Sequence, residues 1–129
     1  MSYAAGIVVQ ALLSVQPVTA IVRQKIQLDE IGGKQPPAVY VFAKSENEPY
    51  LLENASGHVR STIAVACLAT TGHGVHTLAE AVIAGLKNFS GTAAGVHATI
   101  MKEGTDVTDH NHESGLHRRV VDFTVIWRR

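Results

Sequence analysis

His58-Val59-Arg60-Ser61-Thr62-Ile63-Ala64-Val65-Ala66-Cys67-Leu68-Ala69-Thr70 is the stretch on which the fold turns. Successive side chains of a strand point to opposite faces. Here Val59, Ile63, Val65 and Cys67 make one continuous apolar face, while Arg60 and Thr62 open the other. From Ala64 onward the second face is apolar too, through Ala66 and Leu68. A strand that is apolar on both faces belongs in the middle of a sheet.

Working toward the C-terminus, Thr71-Gly72-His73-Gly74 reads as a break. Val75, Leu78, Ala79, Val82, Leu86 and Phe89 then recur on one helical face, which predicts a long helix over 75–89. Thr77 and Glu80 have capping-box spacing and would let its regular part start at Leu78. Asn88 to Gly95 ends the helix with two glycines and a serine. Val96 to Lys102 is expected to be a strand, and Arg118 to Trp127 another, with Val121, Phe123, Val125 and Trp127 facing the core.

Toward the N-terminus, Ser45 to Gly57 is polar and turn-rich, and Ala38 to Lys44 is β-branched and aromatic, a further strand. Gly32 to Pro37 is a loop, and Lys25 to Ile31 alternates only poorly. Ile7, Val8, Ala11, Leu12 and Val15 mark one face of a helix over 3–15, with Ser2 placed to cap it. Pro17 suits the first turn of a short second helix around Val18 to Val22. Consecutive strands with no helix between them predict an α+β domain. Its sheet should be mostly antiparallel, of four to five strands, packed against a long helix and an N-terminal helix.

The 129 residues are expected to form one domain, 1–129, able to bury a core without staples. Apolar residues at 46% and charged residues at 17% are the balance of a folded chain. Eleven basic and eleven acidic side chains cancel, so no global charge points to nucleic acid or an anionic membrane. The lone Cys67 cannot form an intrachain disulfide and reads as a small buried hydrophobe in a reducing compartment. No run approaches the ~18 apolar residues of a membrane span. The first fifteen residues lack the basic start of a signal peptide, so assembly in the cytoplasm is expected.

The segment most suggestive of chemistry is Asp106 to His117, DVTDHNHESGLH, with three histidines and three carboxylates in twelve residues. Asp109, His110, His112 and Glu113 have the right donor types for a first-row metal, and a small metal-binding enzyme domain is the alternative they support. Their spacing matches no coordination motif, and the same residue types build connections between strands. The segment is therefore expected to be a long inter-strand loop. His73 and His76 make an i, i+3 pair with no third ligand near them in sequence. No nucleophile elbow, phosphate loop or dinucleotide fingerprint occurs, so no catalytic or cofactor-binding set is expected.

Arg118, Arg119, Arg128 and Arg129 bracket the last strand. By parity Arg118 and Arg128 share one sheet face, and Arg119 and Arg129 the other. They read either as charges guarding a solvated edge strand or as contacts to phosphate or to an acidic partner.

The order of features resembles the phage tail terminator (tail completion) family of long-tailed phages and tail-like gene transfer agents. The resemblance is carried by Val18-Thr19-Ala20-Ile21-Val22, Pro37-Ala38-Val39-Tyr40-Val41, Arg60-Ser61-Thr62-Ile63-Ala64-Val65 and Leu78-Ala79-Glu80-Ala81-Val82. Its most specific part is Gly115-Leu116-His117-Arg118-Arg119-Val120-Val121-Asp122-Phe123-Thr124-Val125, where His117 stands at a position often tyrosine in the family. It runs from about Ala11 to Trp127.

The resemblance implies a non-enzymatic virion protein at the tail–neck junction, assembled in the host cytoplasm. It would be a homo-oligomer, a hexameric ring, seated on the last ring of the major tail (tube) protein and stopping its polymerisation. Its other face would meet the head-completion or neck protein, and DNA would pass through the lumen without specific binding. Under this reading one or both of the polar segments 45–57 and 106–117 order on neighbouring rings. The candidate contacts are Asp106, Asp109, His110, His112 and Glu113, with His117, Arg118, Arg119, Arg128 and Arg129 beside them. Another neck or head–tail adaptor protein is the nearest alternative.

Overall fold

The computed structural model describes residues 3–22, 26–28, 37–46, 58–87, 89–93, 95–111 and 115–128. Helix α1 spans Tyr3–Leu13 and buries Ala5, Ile7, Val8, Ala11 and Leu12. It stops just short of Val15, where the Ser14 hydroxyl donates back to the Ala11 carbonyl at 2.6 Å. Helix α2, Gln16–Val22, carries Pro17 in its first turn, where the missing N–H has no intrahelical partner to lose, and sets off at 88° to α1. Among the described residues no single helix is long and apolar enough to cross a membrane. The proposed Ser2 cap and the 32–36 part of the expected loop lie outside the described residues.

The strands are β1 (Ile26–Leu28), β2 (Ala38–Glu46), β3 (His58–Ala69), β4 (Phe89–Ala93), β5 (Val96–Asn111) and β6 (Leu116–Arg128). They form one sheet in the order β1-β2-β3-β6-β5-β4. The five strands from β2 to β4 are antiparallel, and β1 adds a short parallel edge with Ile26 opposite Val39. The fold is thus the expected α+β sheet with helices on it, with one strand more than expected. The poorly alternating segment after Lys25 supplies β1, three residues long. The extra strand is β4, which the sequence presents as a helix end. Ser90 and Gly91 are weak strand formers, and they pair because β5 lies alongside, with Phe89 opposite Ile100 and Ala93 opposite Val96.

As the opening stretch demands, β3 lies between β2 and β6 and is covered on both faces. On one face Ile63, Val65 and Cys67 pack with Val39, Val41, Val121, Phe123, Val125 and Trp127 under α1 and the long helix. Cys67 is buried there as a free thiol. On the other, Ala66 and Leu68 join Ala38 and Tyr40 in a smaller cluster. Phe123 alone, fully buried, contributes roughly 1.5–3 kcal/mol of transfer free energy.

The long helix α3 spans Gly72–Leu86 and buries Val75, Leu78, Ala79, Val82 and Leu86. It starts earlier than expected, inside the segment that reads as a break. Thr71 is its N-cap: the backbone there is extended, and its hydroxyl oxygen accepts from the Gly74 N–H at 2.9 Å. That bond satisfies a donor the first turn would otherwise leave open, which offsets part of the poor helix propensity of two glycines. Thr77 and Glu80 lie on the exposed side of the helix, well past its start, and cap nothing. Opposite them, Gly85 meets Val15 at the corner between α1 and α2. A Cβ on Gly85 would stand 2.5 Å from Val15 Cγ1, so the two segments approach this closely only through glycine.

Candidate functional site

The sheet order brings the start of α3 over the far end of the β5–β6 ribbon. Here the expected long loop is a hairpin instead. Asp106 is registered opposite Val121, Thr108 opposite Arg119, Asp109 opposite Arg118, His110 opposite His117 and Asn111 opposite Leu116. Polar residue types tolerate strand geometry when a partner strand supplies the hydrogen bonds, and β6 does so along this whole stretch. Gly115, at φ +74°, provides the left-handed backbone that closes the turn. His112 and Glu113 lie outside the described residues, as do Arg129 and the 47–57 part of the other polar segment.

Of the four metal-ligand candidates, two lie on described strand positions. Positions 109 and 110 are consecutive on β5 and fall on opposite faces of the ribbon, Asp109 sharing its register with an arginine and His110 with a histidine. Among the described residues no group of three or more His, Cys, Asp or Glu side chains is placed to hold a metal ion.

The arginines are also placed differently from the edge-strand reading. β6 is flanked by β3 and β5 along its length, so it is not an edge. Its register with β3 runs unbroken from His117 to Arg128, so positions 118 and 128 fall on one face of the sheet, while Arg129 lies outside the described residues. Position 128 pairs with His58 on one side and His97 on the other. Arg119 lies on the helix side, half-buried, its guanidinium 3.3 Å from Glu80 Oε2 and 3.4 Å from His76 Nδ1 on the exposed side of α3. The His117 ring sits against the first turn of α3, close enough that a Cβ on Gly72 would be 3.7 Å from its Cε1. Gly72, Val75, His76, Thr108, His117 and Arg119 together line an open depression between helix and hairpin.

A second polar feature occupies the opposite face, where Arg118 and Val120 also project. Lys44 Nζ donates to Asp122 Oδ2 at 2.9 Å, with the carboxylate side chain 6% exposed and the lysine 47%. Lys44 is the extra residue of a bulge, since Ala43 pairs with Ile63 and Ser45 with Thr62. It reaches two strands across because Ala64, registered between Phe42 and Asp122, carries only a methyl group. Reading along the sequence singles out Asp122 only within the Gly115–Val125 stretch, and finds neither Lys44 nor His76 as partners. Their pairings depend on the bulge and on where α3 lands.

Fold and site together define an α+β domain: a six-stranded sheet with helices packed on one face and a polar hairpin at the end of β5 and β6. No family model and no curated protein sequence matches the chain. Among solved structures it is similar, at TM-score 0.70 and 13% identity, to a chain of the virion of a native gene transfer agent particle, covering 99% of this chain and 100% of that one. A second solved structure aligns at TM-score 0.60 and 11% identity over 91% of this chain and 89% of that one. At these identities the likeness is one of fold.

Proposed function

We propose that this chain is a structural virion protein that caps the end of a tail tube, terminates polymerisation of the tube protein and offers a joining surface to the head–neck complex. The single observation that carries the reading is the fold likeness to a gene transfer agent virion chain, which covers 99% of this chain and 100% of that one. The residue-level resemblance around Gly115 to Val125 points the same way and adds the tail-terminator role.

The mechanism is interface complementarity and involves no chemistry on a substrate. A homohexameric ring seats on the last ring of the tube protein, and its other face differs enough that no further tube subunit adds. The hairpin at 106–117 is the contact element we assign. Because Asp106–Asn111 is already strand, it meets a neighbour preformed, and little ordering entropy opposes binding. Arg118, Arg119 and His117 bring donors to that end for carboxylates of a neighbour. DNA passes the lumen without specific binding, in keeping with the balanced charge.

The test is electron microscopy of the purified protein mixed with purified tail tubes of its own particle. Density at tube ends and loss of further tube growth are expected. Bare ends with unchanged growth overturn the reading, and density on isolated head–neck complexes alone assigns the chain as a neck adaptor instead.

A further inference from the structure

Given the ring-forming reading above, we propose that the outer edge of β5 beyond its bulge, Asp106–Asn111, pairs with β1 of a second copy of this chain. The sheet would then continue from one protomer into the next.

The argument begins with backbone accounting. β4 covers the outer edge of β5 only from Val96 to Ile100, whereas β5 continues to Asn111. Among the described residues no strand pairs with that edge beyond Ile100. An irregularity lies between Lys102 and Asp106, where four steps along β5 match two along β6. Beyond it the register is regular through six residues, Asp106 to Asn111. Every second residue of such a strand presents its N–H and C=O outward, a template for another strand. At the other end of the sheet β1 is paired only with β2 among the described strands.

These two edges lie at opposite ends of one sheet, so a head-to-tail contact satisfies both at once, and such heterologous contacts are the kind that close into rings. A foreign strand would use only one. Apolar adhesion has little to offer instead, because Leu13 and Met101 are the large apolar side chains left exposed among the described residues.

The experiment reads the wild-type protein first, by light scattering across a concentration series and by hydrogen exchange before and after assembly. Assembly should slow exchange about tenfold or more at alternate amides of 106–111 and also within Ile26–Leu28. Val107→Pro and Thr108→Pro form the second arm. Consecutive N–H groups of a strand point to opposite edges, so one proline removes a bond to β6 and the other removes only an outward donor. The outward-facing variant should keep its fold, read by circular dichroism, and assemble at least about tenfold more weakly. If both variants misfold, exchange on the wild type decides.

A folded proline variant that assembles normally overturns the proposal, as does assembly with neither edge slowed. Slowing at β5 without β1 overturns the choice of partner, and a wild type that stays monomeric overturns the pairing. Decoration of tube ends is scored separately, so the tail-cap reading stands or falls on its own result.

Discussion

Substituting Gly85→Ala tests how the two helical layers are joined. Alanine is the better helix residue by roughly 1 kcal/mol, so on propensity alone the change stabilises α3. Packing opposes it. The new methyl would lie 2.5 Å from Val15 Cγ1, 2.8 Å from Cγ2 and 3.2 Å from Cβ, where carbon atoms prefer about 3.5–4.0 Å. Val15 cannot swing aside cheaply, because a branched side chain has few rotamers and both its methyls are involved. Its backbone is also held: the Val15 N–H donates to Leu12 O at 3.0 Å, and its carbonyl accepts from Val18 at 3.1 Å and Thr19 at 3.0 Å. Overpacking of this kind costs about 1–3 kcal/mol, which leaves a net loss of roughly 0–2 kcal/mol after the helix gain. For a chain of this size that lowers the melting temperature by up to about 8 °C. In a Val15→Ala background the clash is gone, and Gly85→Ala should become neutral or stabilising by up to about 1 kcal/mol. Thermal and urea melts of the four proteins give the coupling. A Gly85→Ala protein more stable than wild type, or an equal penalty in both backgrounds, refutes the reasoning.

Three further substitutions report on other joints of the fold, each read by denaturant unfolding. Lys44→Met strands the buried Asp122 carboxylate and should cost roughly 2–3 kcal/mol, whereas Asp122→Asn releases a half-exposed lysine to water and should cost about 1 kcal/mol. The reverse order would contradict the pairing. Thr71→Ala removes the N-cap of α3 and should cost about 1 kcal/mol, with Thr71→Ser close to wild type. Gly115→Ala forces a side chain into φ +74° and should cost about 1–2 kcal/mol.

The amphipathic faces of α1 and α3, the doubly apolar β3 and the alternating β6 were legible because each follows from a local period of 3.6 or 2. Once these residues must hide from water, an antiparallel sheet under helices is close to the only arrangement left. The lone Cys67 was legible for the same reason, its neighbours being apolar on both sides. What local pattern could not reveal is where hydrogen-bonding partners come from. Asp106–Asn111 and Ser90–Thr92 have loop-like compositions and are strands only because β6 and β5 run beside them. Gly72–Gly74 has the composition of a break and is helical because Thr71 caps it. The opening strand therefore determined the middle of the sheet by itself. Only the tertiary structure decided its margins and its polar end, where Arg119 finds Glu80 and Lys44 finds Asp122 across elements that sequence separation hides. Burial is enforced residue by residue and so is written into local sequence, whereas pairing is a relation between distant segments and exists only once the chain has folded.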